Sequence, residues 1–348
     1  MKSLKEYALN ISEKDYHELP SWSYSIIARY AREGFGVLPI LRNQVTPNDA
    51  MEFGSLFDAM ITRPNEVTQM YVVSDVVAPD AEKKVFDLLL SKGIKRPFAN
   101  LSETELKEAI AEADYQRRWG YDAQYKHLAD ASEYYDVRRS GKKVVSTVDW
   151  MDAHDMRNAF LCNEAVMNLL NSGDEVLYQT QFEKELVIPS SGGKVYFRKV
   201  GVKAMFDTLV VNHKNKTIQP IDIKTSSFAG YDFANSFVKM RYDLQAELYS
   251  YLLEEIIQET EEYKDYTILP FVFACISRVD KVPVTYVYDP SEKLSFKDYT
   301  YKGWIDLLDE ILEYQESDAK APSYISLDKP NDLRALLNKD KWQKDTSI

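Results

Sequence analysis

The feature that most constrains the fold is a change of texture near residue 175. Up to that point the chain is turn-rich and then dominated by Lys, Glu, Ala, Leu and Tyr at helical spacing, especially over residues 80–140. Beyond it come VLYQTQFEKELVI, KVYFRKVGVKAMFDTLVV and TIQPIDIKT, runs rich in β-branched and aromatic residues that read as strands. The polar, turn-forming Asn212-His213-Lys214-Asn215 separates the last two, which are therefore expected to form a hairpin. A helix, SFVKMRYDLQAELYSYLLEEIIQ, follows. Next come LPFVFACIS and VPVTYVYD as further strands, and YKGWIDLLDEILEYQES as a late amphipathic helix. The expected fold class is α/β, a central mixed β-sheet flanked by helices with an N-terminal helical elaboration. Residues 1–174 are expected to form the mainly helical part, 175–320 the core and 321–348 a polar tail, with a single domain an equally open division.

Within the first part, Pro20-Ser21-Trp22-Ser23 marks a helix start before YSIIARYAREG. Pro47-Asn48-Asp49 caps a helix over AMEFGSLFDAMIT that Arg63-Pro64 ends. DWMDAHDMRNAFLCNEAVMNLLNSG reads as one more helix, closed by Gly173.

Hydrophobic residues at 45% and charged residues at 28% of 348 are those of an ordinary globular chain able to bury a large core. No apolar run reaches membrane-spanning length and MKSLKEYALNISEKDY lacks a signal-peptide pattern, so a cytoplasmic location without a membrane partner is expected. The two cysteines, Cys162 and Cys275, are too few for a four-cysteine zinc site or an iron–sulfur cluster and are expected to be buried, unpaired thiols. A net charge of −12 argues against coating of nucleic acid through bulk electrostatics, but not against a local basic groove.

Residues 201–249 carry the candidate chemistry: GVKAMFD ending in Asp207, PIDIKT with Asp222 and Lys224, then a helix with Arg241, Gln245 and Tyr249. Asp222 and Lys224 project to one side of their strand while Ile221 and Ile223 face the other. A turn centred near Lys214-Asn215 sets Asp207 almost opposite Asp222. Two carboxylates that close repel unless a cation lies between them, and Mg²⁺ or Mn²⁺, one ion or two, suits oxygen ligands. Lys224 beside them is placed to orient a water or to stabilise charge in a phosphodiester-cleaving transition state. Arg241, Gln245 and Tyr249 recur every four residues and are expected to share a face towards a substrate strand. A D-x-K alone is no more than an exposed strand salt bridge; the ordered conjunction makes the case.

Other residues rank lower. Glu183 reads as a solvated strand acid with a view of the site, His213 as a turn residue touching only water, and His154 and Glu247 as helix-surface groups. The pairs Arg117-Arg118, Arg138-Arg139 and Lys142-Lys143, interleaved with Tyr115, Trp119, Tyr121, Tyr134 and Tyr135, suit a DNA-tracking surface. Solvated helix faces with core aromatics are the commoner explanation.

Gly201…Asp207, Asp222-Ile223-Lys224 and Gln245…Tyr249 resemble, in order and spacing, the PD-(D/E)xK nuclease superfamily, in its RecB-like and phage exonuclease VIII (RecE)-like branch. YHELPSWSYSIIARYAREG resembles that branch's opening segment and FGSLFDAMITRP its G-S-x-x-H-x-x-x-x-x-P helix, so the likeness spans most of residues 15–315. It implies a metal-dependent exodeoxyribonuclease acting on linear double-stranded DNA in phage-type recombination. A ring-shaped homo-oligomer and a single-strand annealing recombinase are the implied partners. Asp207, Asp222, the Ile223 carbonyl and Asp58 would hold metal, Lys224 would position water, and Gln245, Tyr249 and Arg241 would bind substrate. Asp58 stands where the family has histidine. Oxygen suits Mg²⁺ at that place, and the rival reading is a helix carboxylate paired with Arg63 or another neighbour. An endonuclease or defence nuclease of the same fold, or a catalytically silent DNA-binding or assembly protein, are the alternatives.

Overall fold

Three successive antiparallel strands form one half of a mixed sheet: β1 (Glu175–Pro189), β2 (Phe197–Asn212) and β3 (Thr217–Ser226). β4 (Phe271–Ser277) lies parallel to β3, and β5 (Pro283–Tyr288) returns antiparallel, giving the order β1-β2-β3-β4-β5. A two-residue strand, Thr267–Ile268, pairs in parallel with the start of β3. The structure, a computed structural model, describes residues 3–43, 45–190, 197–296 and 299–316. The anticipated tail, 321–348, lies outside the described residues, as does the start of the second strand run at 194–196.

Each sequence-predicted strand is present, and β4 is buried along its whole length, as its unbroken apolar run requires of a strand covered on both faces. A parallel β3–β4 pair demands a crossover, which two helices supply: α4 (Phe233–Met240) and α5 (Tyr242–Glu259). The labels α1 to α3 are given to Tyr24–Glu33, Asp49–Thr62 and Thr147–Cys162, and α6 to Trp304–Glu316. Ile27 of α1, Leu248 and Leu252 of α5 and Leu308 of α6 pack with Leu209, Phe271 and Phe273 in one core cluster. On the other face, Phe57 and Met60 of α2 and Met156 and Phe160 of α3 pack with Val210, Ile221 and Val272.

A third cluster, built from Val85, Phe86, Leu106, Leu128 and Tyr135 among others, lies within short helices between residues 78 and 135. The chain enters and leaves this region through a small parallel ribbon, Tyr71–Val73 beside Lys143–Val145. Tyr115, Tyr134 and Tyr135 are buried there as core aromatics. Arg139 pairs with Asp136 at 2.6 Å and Arg117 with Asp114.

Local chemistry explains most boundaries. Asn48 caps α2, its side-chain oxygen accepting the Met51 N–H at 3.0 Å, and Pro64 follows its end at Thr62. Four expectations are corrected. The crossover helix is broken at Arg241, whose φ of 58 is left-handed, so α4 and α5 are separate. The helix expected through residue 173 ends at Cys162, because Asn163 is extended and caps a second, Glu164–Leu170, by accepting the Val166 N–H. Gly173 closes neither helix; a Cβ there would stand 2.4 Å from the Val211 carbonyl oxygen, so its smallness serves the approach to β2. Cys275 is buried as expected, whereas Cys162 is exposed at the end of α3.

The N-terminal segment reaches β2 along the edge that β3 leaves free. The Trp22 N–H donates to the Gly201 carbonyl and the Lys203 N–H to the Trp22 carbonyl, both at 2.8 Å. A Cβ on Gly201 would lie 2.6 Å from Ser21 Oγ, so glycine here permits the approach of the segment. The ammonium of Lys203, 3% exposed, donates to the carbonyls of Tyr16, His17 and Leu19 at 2.7, 3.2 and 2.8 Å. Among the described residues no helix is long and apolar enough to cross a membrane.

Candidate functional site

The hairpin register brings the two acids together. Thr208 pairs with Ile221 and Leu209 with Pro220, which sets Asp207 across from Asp222. Asp207 Oδ2 accepts the Ile223 N–H at 2.8 Å, clasping β3 between the two residues of the D-x-K that flank it. Asp222, 3% exposed, is held from two sides: Gln245 Nε2 donates to Oδ1 at 2.5 Å, and Lys224 Nζ lies 2.6 Å from Oδ2. The Lys224 ammonium also sits over the Tyr242 ring, 4.6 Å from its centroid.

Asp58 joins from α2. Its Oδ2 accepts Gln179 Nε2 at 2.9 Å, its backbone carbonyl accepts the Thr62 hydroxyl at 2.9 Å, and its Oδ1 is buried without a hydrogen-bond partner. Gly54, one turn earlier, lets the helix in: a Cβ there would stand 3.2 Å from Thr225 Oγ1 on β3.

These charges are poorly compensated. Burial holds the Asp207 carboxyl well above the usual carboxylate range, and the neighbouring Asp222 and Asp58 add to it against Lys224 and the Ile223 N–H. Burial likewise pushes Asp58 up to about 7; Arg63 opposes this, and Asp222 and Glu13 reinforce it. For Lys224, burial favours the neutral amine, but Asp222, Tyr242 and Asp207 overcome it and hold the ammonium well above its ordinary value. Three carboxyls with one ammonium among them call for further positive charge.

The oxygen-only donor set suits a hard divalent cation, and the buried, unpartnered Asp58 Oδ1 is a free oxygen ligand beside it. Among the described residues, however, no three His, Cys, Asp or Glu side chains converge closely enough to hold a metal ion by themselves. Asp222 is instead shared between Lys224 and Gln245.

Of the residues singled out in the sequence, Asp207, Asp222, Lys224 and Gln245 therefore meet, with Asp58 beside them and Ile223 clasped within. Tyr249 stands next to them as a core residue. It is 8% exposed, its ring is 5.0 Å from Phe206, and its hydroxyl is met by the Met205 backbone. Arg241 is a correction. Its left-handed backbone takes it out of helical phase with Gln245, and its guanidinium is buried against Asp243 at 2.8 Å and the Lys302 carbonyl at 2.6 Å.

Glu183 meets Ser21 rather than the acids. His213 touches more than water: Nδ1 is 2.9 Å from the Tyr266 hydroxyl. Glu247 is half-buried, accepts the Trp304 N–H at 3.3 Å, and is pushed by burial up to about 7. Arg63 pairs with Glu13 at 3.1 Å, not with Asp58. The residues missed are Gln179 and Tyr242. The alternation of β1 gives no hint that Gln179 turns towards α2, whereas Tyr242 lay within reach of a count along the crossover helix.

No family model matches this sequence, and no curated protein does. Among solved structures, a Eubacterium rectale protein named provisionally as an exonuclease aligns with 95% of this chain and 99% of its own, at 12% identity and a TM-score of 0.41. A protein named SSO0001 aligns with 58% of this chain and 71% of its own, at 15% identity and a TM-score of 0.25. Likenesses this loose leave what the chain does to its own geometry.

Proposed function

We propose that this chain is a metal-dependent deoxyribonuclease of the PD-(D/E)xK type, and that its activity is exonucleolytic digestion of linear double-stranded DNA. The observation that carries the reading is the meeting of Asp207, Asp222 and Lys224 on one hairpin, with Asp222 gripped by Gln245 from the next helix. Asp207, Asp222, the Ile223 carbonyl and Asp58 would hold Mg²⁺ or Mn²⁺, which supplies Lewis-acid stabilisation of the phosphate and lowers the pKa of bound water.

The chain's own residues do the rest. In hydrolysis a water oxygen bonds to phosphorus as the bond to the bridging ester oxygen breaks, and the proton the water loses is matched by the one the leaving oxygen takes up from solvent. Lys224, kept charged by Asp222 and 20% exposed, is placed to orient the water and to offset charge gathering on the phosphoryl oxygens. Gln245 fixes the Asp222 carboxylate with one amide N–H, while its Oε1 is buried and unpartnered. Tyr249, buried against Phe206, is a core residue beside the acids rather than one reaching out to substrate. Recombination of phage type, a ring-shaped oligomer and an annealing recombinase partner belong to the same proposal through the family resemblance alone.

One observation favours a second reading. Asp222 is already neutralised by Lys224 at 2.6 Å, an arrangement that a silent DNA-binding or assembly scaffold could keep without metal. Incubation with linear and with closed circular duplex DNA, in Mg²⁺, Mn²⁺ or EDTA, separates the possibilities. The expected result is metal-dependent loss of linear DNA alone, slowed on the order of 100-fold or more in Asp222→Ala. Nicked circles would indicate an endonuclease, inactivity in every metal a silent scaffold, and full activity in Asp222→Ala would sink the site assignment.

A further inference from the structure

In the middle of β1, Gln179 has a φ of 50, in the left-handed region that glycine and asparagine enter readily and glutamine does not. The ladder passes from Tyr178–Thr208 to Thr180–Phe206, so Gln179 lies opposite Asp207 at the one step of β1 between residues 175 and 189 that carries no pair. The unfavourable backbone coincides with one contact: Gln179 Nε2 on Asp58 Oδ2 at 2.9 Å, across from another element and 121 residues away in sequence.

A neutral amide is a particular choice of holder. An Arg or Lys there would fix Asp58 but also cancel its charge, and the nearest candidate, Arg63, is spent on Glu13. The amide satisfies Oδ2 without adding a positive charge, and leaves Oδ1 without a hydrogen-bond partner. We propose that Gln179 is a positioning residue for the candidate metal site, holding Asp58 beside Asp207 with Oδ1 left over as a ligand for a divalent cation. The idea rests on the nuclease reading of Asp58 and adds a residue to it.

The test is a Mn²⁺ titration, read by the electron paramagnetic resonance of the free ion, on the full chain and on Gln179→Ala, Gln179→Gly, Asp58→Asn and the Gln179→Ala/Asp58→Asn double variant. Gln179→Ala should weaken Mn²⁺ about 10-fold, the usual scale for residues that orient a metal ligand. In the Asp58→Asn background the same change should do nothing further, because the only ligand it orients is gone. Gln179→Gly, which accepts the left-handed backbone, should melt above Gln179→Ala yet bind Mn²⁺ equally poorly, and it serves if the alanine variant does not fold. Unchanged affinity in both Gln179 variants, or losses that multiply in the double variant, would overturn the positioning role alone. A wild-type chain that takes up no Mn²⁺ would overturn the nuclease reading and this inference together.

Discussion

Asp58 and Asp207 feel each other and Asp222 across an interior where burial keeps water from damping their repulsion, and this has a measurable sign. A carboxyl held up to about 7 when folded keeps a proton that the unfolded chain has already released at the ordinary aspartate value of 3.8. Between those values the native state binds more protons, so stability falls as pH rises, and the penalty is complete above about 7. Asp58→Asn removes it. In EDTA the variant should therefore melt above the wild type near pH 8 and level with it near pH 4, whereas saturating Mg²⁺ at pH 8 should favour the wild type. A difference independent of pH would refute the raised carboxyl. At this scale the sequence was readable wherever counting suffices: the turn at Lys214-Asn215 set Asp207 opposite Asp222. It was unreadable where a backbone angle decides. Nothing in the side chains of Gln179 or Arg241 announces a positive φ, and that angle turned one residue into the site and the other out of it.

Among elements, the placement of α2 against β3 decides whether Asp58 reaches the hairpin acids at all. Gly54 and Asp58 are one helical turn apart, and a Cβ at Gly54 would already stand 3.2 Å from Thr225 Oγ1. Gly54→Ala gains about 1 kcal/mol of helix propensity and sets it against that squeeze, so a small net change is expected. Gly54→Val adds branched bulk that must push α2 away from β3. It should lose about 1–3 kcal/mol in urea unfolding and weaken Mn²⁺ through the displaced Asp58. Unaltered stability and metal binding in Gly54→Val would show that the helix does not need this approach. Strand alternation and caps such as Asn48 made most elements legible. Helix periodicity concealed the breaks at Asn163 and Arg241, because apolar residues keep their spacing across a one-residue interruption. The edge pairing of Trp22 with β2 was hidden too, since the contact joins segments about 180 residues apart and depends on Gly201 being small.

For the whole molecule the governing quantity is a net charge of −12, which repels the polyanion the chain is proposed to cut. Screening at physiological salt confines that repulsion to roughly 8 Å, so what a bound phosphodiester meets is set by the local carboxylates rather than by the total. Without metal it meets Asp58, Asp207 and Asp222 against the single ammonium of Lys224. Duplex binding should therefore depend on divalent ions as much as cleavage does. In fluorescence anisotropy with a labelled duplex, Ca²⁺, which takes oxygen ligands in looser geometry than Mg²⁺, should support binding on the order of 10-fold tighter than EDTA. The sharper prediction concerns Asp222→Asn. In EDTA it should bind DNA more tightly than the wild type, because a negative charge has been removed. In Ca²⁺ it should bind more weakly, because a ligand has been removed, and in Mg²⁺ it should not cleave. A purely structural ion pair between Asp222 and Lys224 offers no reason for that inversion, so affinity changing in the same direction with and without Ca²⁺ would decide against a metal at this hairpin.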